Sequence, residues 1–401
     1  MSGGGLEVES PVGMRRIATG YNPAMKKLRF GPYLLLAVPA ISGAANPVKL
    51  GGMAPVTLHR KATSHGHQRE FTSITLLPGR GLNTFQITAN LPGRGETELL
   101  RSPSLQSAAE QMNEQGDDAY GNLNHAFGGA FLIPFTSRAG GELSEDKKLV
   151  TVHWHGKEIR LPNDYLGHYA VHGLINTLKA QDIHIHETPG GQTLTAVIHA
   201  GNFNGYWLSK TDVRYAIALR ADSVDIRITA TNVGTEEEPM GIGWHPYLRI
   251  ISGDRTQARV HLPASFYGVV DKIDGRPTGE LRSVENTPND YRSPVGALLP
   301  NASTSVNFSG LKRSAGTIDA WLSDPKADYA IRVRGFSPEI HTLHLWSAKD
   351  DTFCAIEEQY NFMDPFGPQW KEMHTGLVTL KPGASTEWHV RLELFSPPAA
   401  P

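Results

Sequence analysis

The residues with the clearest capacity for chemistry lie in the stretch Gly241-Ile242-Gly243-Trp244-His245-Pro246-Tyr247-Leu248. This stretch follows a run with strand character and places a histidine directly before a proline. Pro246 biases His245 toward an extended backbone and removes one backbone donor. An imidazole held in this way at the end of a strand can face a cleft. The stretch alone is equally compatible with a histidine that forms an ordinary hydrogen bond at a sheet edge.

A pair of acids near the C-terminus is a second candidate. Glu357 and Glu358 stand at the end of the apolar run 353–356. Adjacent residues of a strand point to opposite faces, so only one of the two carboxylates can enter a cleft. Burial at the margin of an apolar strand changes the pKa of a carboxylate, which suits a general base.

Two further candidates lie in Gly-containing loops. His172 precedes Gly173, and such a loop allows the backbone to approach a ligand closely. Arg138 stands between the apolar run 131–135 and a Gly turn, where its guanidinium offers a fixed fork of donors to sugar hydroxyls or a carboxylate. Each of the two is equally compatible with an ordinary surface loop residue.

The chain has 17 histidines, so most of them must be incidental to any site. Three pairs have the i, i+2 spacing that places two imidazoles on one face of a strand or in one loop: His65 and His67, His153 and His155, and His184 and His186. No carboxylate or thiol joins these pairs at a recognisable spacing. We therefore expect no metal site, and exposed strand histidines explain the pattern.

Short runs with strand character recur between turn residues along most of the chain. They cover 71–77, 83–91, 149–154, 194–199, 215–220, 224–231, 327–334, 342–346, 376–384 and 386–395. Polar and apolar residues alternate plainly in 224–231 and 388–395, and only 104–119 favours a helix. We expect residues 46–401 to form a single all-β domain, a large antiparallel β-sandwich with a cleft on one sheet face.

The composition excludes several classes of protein. The 401 residues carry a formal net charge of −2, so no global basic field attracts nucleic acid or anionic lipid. Hydrophobic residues make up 39%, too few for a protein with many membrane spans. The single cysteine, Cys354, excludes an intramolecular disulfide framework and a multi-cysteine zinc site.

We interpret residues 1–45 as an N-terminal extension. Within it, Met25–Ala45 combines a basic start, a short apolar run and a small-residue exit, which together are typical of a secretory signal peptide. The apolar run is too short to span a bilayer comfortably, so membrane integration is not expected. We expect a periplasmic or secreted protein; if the segment is instead a disordered tail, the protein is cytoplasmic.

Five short motifs in this order resemble the aldose 1-epimerase (galactose mutarotase) family. They are Arg138 in a Pro-aromatic loop, Gly156…Asn163…His172-Gly173, Gly243-x-His245-Pro246-Tyr247, an isolated Asp319, and Glu357-x-Gln359 after an apolar run. The tail 380–388 is similar to the closing strand pair of that family. The resemblance covers about residues 70–396 and implies a galactose mutarotase-like supersandwich.

The resemblance also implies roles for five residues. His245 would be the general acid that protonates the ring oxygen of a pyranose, and Glu357 the general base for the anomeric hydroxyl. Arg138, His172 and Asp319 would bind and orient hydroxyls. The partner would be a free monosaccharide of the galactose or glucose type. No metal or organic cofactor is needed, because the ordinary pKa values of about 6.5 for His and 4.3 for Glu leave both groups usable near neutrality.

Three departures from the family pattern put the identity of the sugar in doubt. Ser137 stands where Asn commonly precedes the arginine, Leu174 replaces a second glycine, and Leu248 follows His-Pro-Tyr where Phe is common. A carbohydrate-binding sandwich without catalysis, a hexose-phosphate 1-epimerase and a polysaccharide-processing enzyme with two carboxylates remain alternatives. The first does not need an acid/base pair, and the second should show extra basic residues near the cleft.

Overall fold

Two large antiparallel sheets hold most of the strands in the computed structural model, which describes residues 47–63, 68–371 and 373–399. The predicted signal peptide Met25–Ala45 and the pair His65 and His67 lie outside the described residues. Residues from Pro47 onward form one compact unit. Within the described ranges, no helix is both long and apolar enough to cross a membrane.

Sheet I has eleven strands, which we number in chain order. In spatial order they are β1 (Val56–His59), β2 (Glu70–Leu77), β3 (Asn83–Leu91), β5 (Gly129–Leu132), β16 (Gly243–Arg249), β25 (Phe353–Gln359), β24 (Thr342–Ser347), β21 (Thr304–Leu311), β18 (Ala264–Val270) and β19 (Pro277–Ser283), with β4 (Gly95–Glu98) beside β3.

Sheet II has nine strands. In spatial order they are β11 (Gln181–Thr188), β12 (Gly191–Gly201), β13 (Thr211–Leu219), β14 (Ser223–Asn232), β27 (Ser385–Phe395), β23 (Tyr329–Gly335), β22 (Ile318–Asp324), β17 (Arg259–His261) and β20 (Ala297–Leu298).

Small elements complete the described chain. They are the pairs β6 (Arg138–Gly140) with β10 (Tyr169–Val171) and β15 (Glu238–Met240) with β26 (Val378–Leu380), the three-stranded sheet β7 (Glu142–Leu143), β8 (Leu149–Trp154) and β9 (Lys157–Pro162), the helix α1 (Leu105–Gln111), and 3₁₀ turns at Gly116–Ala126, Phe203–Gly205, Arg255–Gln257, Pro325–Ala327 and Pro368–Trp370.

The apolar faces of the two sheets meet in one core. Phe131 of sheet I and Tyr215 of sheet II lie with ring centroids 5.3 Å apart, and the Trp388 indole of β27 donates to the Glu358 carbonyl of β25. Alternation along each strand sends every second side chain into this core. The predicted antiparallel β-sandwich is confirmed, and the strand predicted at 83–91 coincides with β3.

The structure corrects the predicted position of His245. It does not follow a strand but lies inside β16, between β5 and β25. Proline is normally confined to sheet edges because it lacks an N–H to donate. Here β16 pairs with β25 at Gly243 and Tyr247 and makes no ladder pair between them, so Pro246 is tolerated inside the sheet.

Gly173 fixes the loop that carries His172. Its φ of +83° lies in the left-handed region, and Gly173 forms a parallel bridge to Ile133. A Cβ atom at this position would lie 2.2 Å from the Ile133 carbonyl oxygen. The sequence predicted a close backbone approach to a ligand at His172-Gly173. The backbone of Gly173 instead packs against Ile133 of the protein itself, which holds the loop at the end of β5.

We expect Gly173→Ala to be strongly destabilising. A left-handed alanine costs about 1–2 kcal/mol, and the clash with Ile133 adds to that cost. Gly156→Ala is the matched control, because Gly156 also has a positive φ of +77° but has open space where a Cβ would lie. Urea denaturation of both variants measures the difference, and equal losses of stability would show that the Ile133 contact is not restrictive.

Candidate active site

Four polar side chains form a lateral row across sheet I, on the face that points away from the core. Asn307 of β21 pairs with His344 of β24, and His344 pairs with Glu357 of β25. The register of β25 with β16 then places Glu357 opposite His245. Residues directly opposite in a ladder share one face of the sheet, so we call these four residues the polar row.

His245 and Glu357 form the central pair of this row. The Nε2 of His245 lies 3.5 Å from Oε1 of Glu357, and the two side chains are 6% and 0% exposed. The side-chain amide of Gln359 donates to the other carboxyl oxygen, Oε2, at 2.6 Å, and Thr136 donates to Gln359 Oε1 at 3.0 Å. Gln359 therefore orients the carboxyl group so that Oε1, which has no hydrogen-bond partner, faces the imidazole.

Burial changes the protonation of both members of the pair. Desolvation lowers the pKa of His245 to about 4 and raises the pKa of Glu357 well above its ordinary value, although the bond from Gln359 opposes the second effect. Both shifts favour the uncharged forms, so a single proton shared by the pair resides on Glu357 rather than on His245. The sequence predicted the ordinary pKa values of His and Glu. The difference arises because the sequence does not show how completely water is excluded from this face of the sheet.

The β6–β10 pair brings Arg138 and His172 to the same place. Arg138 pairs with Val171 in this ladder, and the backbone N–H of His172 donates to the Ser137 carbonyl at 2.7 Å. The ring centroids of His172 and His245 lie 5.1 Å apart. Desolvation lowers the pKa of His172 well below its usual value, and the charges of neighbouring histidines and Arg138 lower it further.

The Arg138 guanidinium has few partners inside the described part of the chain. Its Nε donates to the Met363 sulfur at 3.1 Å, and its Cζ lies 5.2 Å from the centroid of the Tyr169 ring. No carboxylate among the described residues lies within ion-pair distance of it. The remaining guanidinium donors are therefore free for hydroxyl or carbonyl oxygens of a ligand.

Two histidines that the sequence did not single out belong to this cluster. The ring of His125 lies 4.7 Å from that of His172 and 6.3 Å from that of His245, between centroids. His344, a member of the polar row, is 7% exposed; desolvation, with the charges of His245 and Arg138, lowers its pKa to about 3. The signal for His344 was present in the sequence, where a single polar residue interrupts Leu343 and Leu345 in a strand.

A chain of buried side chains leads from Arg80 to His125. Arg80 Nε donates to Asn124 Oδ1 at 3.2 Å, Asn124 Nδ2 donates to Asn176 Oδ1 at 3.2 Å, and Asn176 Nδ2 donates to His125 Nε2 at 2.8 Å. Arginine can only donate hydrogen bonds, so Asn124 Oδ1 must accept from Arg80. The amide groups of Asn124 and Asn176 must then donate onward, which fixes the direction of each hydrogen bond. His125 Nε2 must accept, and its proton is therefore on Nδ1.

An ion pair holds Arg80, the residue at which this series of hydrogen bonds begins. Arg80 is fully buried and bonds to the buried carboxylate of Asp118 at 2.6 Å. Desolvation, with the charges of His245 and Arg80, lowers the pKa of His125 well below its ordinary value. His125 is thus a neutral imidazole that can donate one hydrogen bond from Nδ1.

Asp319 is not part of this cluster. It lies on β22 of sheet II, where Arg334 donates to its two carboxylate oxygens at 2.7 and 2.9 Å. Burial, and to a smaller extent the charge of Asp319, raises the pKa of Glu358, whose side chain leaves β25 on the face opposite to Glu357. The structure therefore does not bring Asp319 together with His245 and Glu357, and we leave it out of the proposed site.

The aromatic residues near the cluster divide between the core and the site. Trp244 and Trp207 are buried core residues whose indoles bond to Gly129 and to Pro239. Tyr247 instead lies on the face of the polar row, with its ring 5.0 Å from that of His245, and it stacks on Trp346 at 5.3 Å.

The other histidine pairs lie away from the cluster. His153, His155, His184 and His186 are exposed on β8, the turn after it and β11. Within the described ranges, no group of three or more His, Cys, Asp or Glu side chains is arranged to hold a metal ion.

We expect the buried amide chain to set the tautomer of His125. In the native protein, ¹⁵N–¹H correlation spectra of the imidazoles should show His125 protonated at Nδ1. Asn176→Leu removes the donor to Nε2 and should shift His125 toward the Nε2–H form that predominates in free imidazoles. An Nε2–H form in the native protein would contradict the direction of the chain; His184, exposed on β11, provides the reference signal.

Comparison with known proteins agrees with this geometry at the level of fold. The galactose mutarotase-like protein of Clostridium acetobutylicum superposes with a TM-score of 0.66 at 18% identity, over 84% of this chain and 98% of that one. The GalM/aldose epimerase homologue of C. elegans superposes with a TM-score of 0.63 at 16% identity, over 84% and 98% of the two chains.

Sequence comparison is more specific. The uncharacterized protein YphB of Escherichia coli K12 is 26% identical over 275 residues, which is 65% of this chain and 82% of that protein. The family model for aldose 1-epimerase matches residues 100–393, a range that contains the whole polar row, Arg138, His172 and His125. The chain belongs to the aldose 1-epimerase family.

Proposed function

We propose that the protein interconverts the α and β anomers of a free aldose by acid/base-catalysed ring opening. The observation that carries this proposal is the His245–Glu357 pair, in which two buried proton carriers face each other at 3.5 Å. Membership of the aldose 1-epimerase family supports the same reaction class. Such positioned proton transfer typically contributes about 10²–10⁴-fold in rate.

The reaction needs one proton donor and one acceptor. When the ring opens, the anomeric hydroxyl loses its proton, its O–H electrons form the C1 carbonyl, and the bond from C1 to the ring oxygen breaks. The ring oxygen keeps that electron pair and gains a proton. The two sugar oxygens are bonded to the same carbon, so they lie close enough together for one to face His245 while the other faces Glu357.

The pair holds the one proton that this exchange requires. We assign His245 as the acid and Glu357 as the base of ring opening, as the family pattern implies. Burial favours the shared proton on Glu357, so this assignment requires its transfer to His245 when the sugar binds. In ring opening, Glu357 takes the proton of the anomeric hydroxyl and His245 gives its proton to the ring oxygen. Both members of the pair are then uncharged again. After rotation about the C1–C2 bond, the reverse transfer closes the ring as the other anomer.

The surrounding residues bind and orient the sugar. Arg138 offers free guanidinium donors, and His125 offers one imidazole donor of fixed direction. His172 is neutral at pH 7 because of its burial, and it packs between the rings of His125 and His245. Binding without catalysis would need these donors alone and would not need a pair of proton carriers with shifted pKa values. We also propose that Met25–Ala45 directs the protein to the periplasm or outside the cell.

Glu357→Gln should abolish the acceleration of mutarotation, because a carboxamide does not exchange the proton. Glu358→Gln is the matched control: Glu358 is buried on the opposite face and its pKa is raised well above normal by desolvation, so a neutral amide replaces a neutral acid. Polarimetry on freshly dissolved α-glucose and α-galactose measures both. An inactive Glu358→Gln with an active Glu357→Gln would overturn the assignment.

The acid limb of the pH profile should lie near pH 4. Below about pH 4 His245 gains a proton, so the pair holds two protons and no base remains; above the raised pKa of Glu357 no proton remains. We therefore expect kcat/KM, corrected for the spontaneous reaction, to fall only at these two limits. An acid limb near pH 6.5, the value of a free histidine, would show that His245 is not desolvated in the working enzyme.

A further inference from the structure

Four imidazoles lie around the acid/base pair, yet the proposed reaction needs its proton on one of them. His125, His172 and His245 form a triangle with ring centroids 4.7, 5.1 and 6.3 Å apart, and His344 stands beside Glu357 in the polar row. The charge of one protonated ring opposes protonation of the others at these distances. A proton taken up by another histidine would therefore oppose the protonation of His245.

Arg138 opposes protonation of two of the other three imidazoles. Its charge lowers the pKa of His172 and of His344, in addition to the larger effect of desolvation. Desolvation also lowers the pKa of His245, to about 4, but no arginine of the described chain contributes to that change, and a backbone hydrogen bond opposes it. His125 is therefore the remaining competitor of His245 for the proton.

A hydrogen bond opposes the protonation of His125. Its Nε2 accepts from Asn176 Nδ2 at 2.8 Å, so a second proton at Nε2 would face another donor. Asn176 cannot turn its oxygen toward His125 without loss, because that oxygen accepts from Asn124 Nδ2 at 3.2 Å. Asn124 and Asn176 are 1% and 2% exposed, so water has little access to repair a mismatch between two donors.

Asn124 is fixed by groups that cannot exchange donor for acceptor. Its Oδ1 accepts from Arg80 Nε at 3.2 Å, and a guanidinium has no acceptor. Its Nδ2 donates to the backbone carbonyls of Arg80 and Asn176 at 3.1 and 3.0 Å, and a carbonyl has no donor. Turning the Asn124 amide would therefore place like groups face to face on both sides. The direction that begins at Arg80 reaches His125 as a donor.

Arg80 acts on His125 through these hydrogen bonds more than through its charge. Arg80 is fully buried, and its charge is offset by Asp118 at 2.6 Å and by Glu114 at 3.7 Å. Its charge is accordingly a smaller cause of the lowered pKa of His125 than desolvation or the charge of His245. The fixed direction of the series of hydrogen bonds is therefore what Arg80 adds.

We propose that Arg80 is a positioning residue for the acid of the reaction. Through the two buried amides it keeps a second proton off His125, so that the proton released by Glu357 goes to His245. Arg80 contacts neither the sugar nor the reacting atoms in this scheme; it fixes the direction of three hydrogen bonds. The effect on turnover rests on the proposed anomerase function, whereas the protonation of His125 is measurable by itself.

Asn176→Asp tests the proposal because it reverses only the last bond of the series. The carboxylate still accepts from Asn124 Nδ2, but it places an acceptor instead of a donor beside His125 Nε2. A carboxylate there raises the pKa of His125, so an imidazolium forms as the pH falls. Its charge then opposes protonation of His245, whose ring centroid lies 6.3 Å away. We expect the acid limb of kcat/KM to move from near pH 4 to about pH 6.5 or above.

Two measurements are compared across the pH range. ¹⁵N–¹H correlation spectra show whether His125 carries one proton or two, and polarimetry on α-glucose and α-galactose gives kcat/KM, corrected for the spontaneous reaction. A charged His125 together with the raised acid limb supports the proposal. A charged His125 with the acid limb still near pH 4 would overturn it. So would a His125 that stays neutral beside the carboxylate, because burial alone would then exclude the proton. Asn301→Asp adds the same charge at an exposed position before β21 and should keep the native profile.

The native protein gives an independent test if Asn176→Asp does not fold. In a pH titration of the native imidazoles, His245 should gain its second proton near pH 4, while His125 remains protonated at Nδ1 alone. A His125 that becomes doubly protonated at a higher pH than His245 would overturn the proposal. If the native protein turns over neither sugar, the anomerase function fails, and the same spectra still decide whether the proton is excluded from His125.

Discussion

The alignment of His245 with Glu357 across two neighbouring strands is the constraint on which the rest of the site depends. A ladder fixes cross-strand neighbours far more rigidly than a loop does, because every backbone bond on either side must break before the register slips. Pro246 removes one ladder donor where the two side chains face each other. The pair therefore gains local space without losing its register, which Gly243–Gln359 and Tyr247–Ala355 hold on either side.

Exclusion of water is the second requirement. The protein achieves it by covering the outer face of sheet I, which carries the polar row. The segment Gly116–Ala126 and the β6–β10 pair place His125, Arg138 and His172 over the face of β16. The resulting desolvation makes the imidazoles neutral and keeps a proton on Glu357. The same desolvation makes the cluster costly for folding, since its donors and acceptors lose water without gaining full protein partners. A polyhydroxylated ligand can restore those bonds.

Local patterns in the sequence were sufficient for much of the fold. Alternation within a strand is a property of consecutive residues, so runs such as 83–91 and 386–395 could be predicted and were found as β3 and within β27. The site residues Arg138, His172, His245 and Glu357 were predicted instead from short motifs that resemble those of a known family. The structure brings these four together.

What sequence could not supply is the order of strands that are distant in the chain. The polar row runs through β16, β25, β24 and β21, whose adjacency is decided by long-range topology. His344 and Asn307 were therefore missed, although each stands between two apolar neighbours in its strand, and Asp319 was assigned to a site that lies on another sheet.

The row also confines the proposed chemistry to one end of the sheet face. Its steps are about 4.8 Å, so each strand places its polar side chain one step further from the His245–Glu357 pair. The proposed proton transfer involves only β16 and β25, where desolvation shifts the pKa values of His245 and Glu357 in opposite directions. A substitution at Asn307 of β21 is two strands removed from Glu357, so it leaves the contacts of the His245–Glu357 pair in place. His344, which lies between Asn307 and Glu357 in the row, is itself neutral at pH 7, because burial lowers its pKa to about 3.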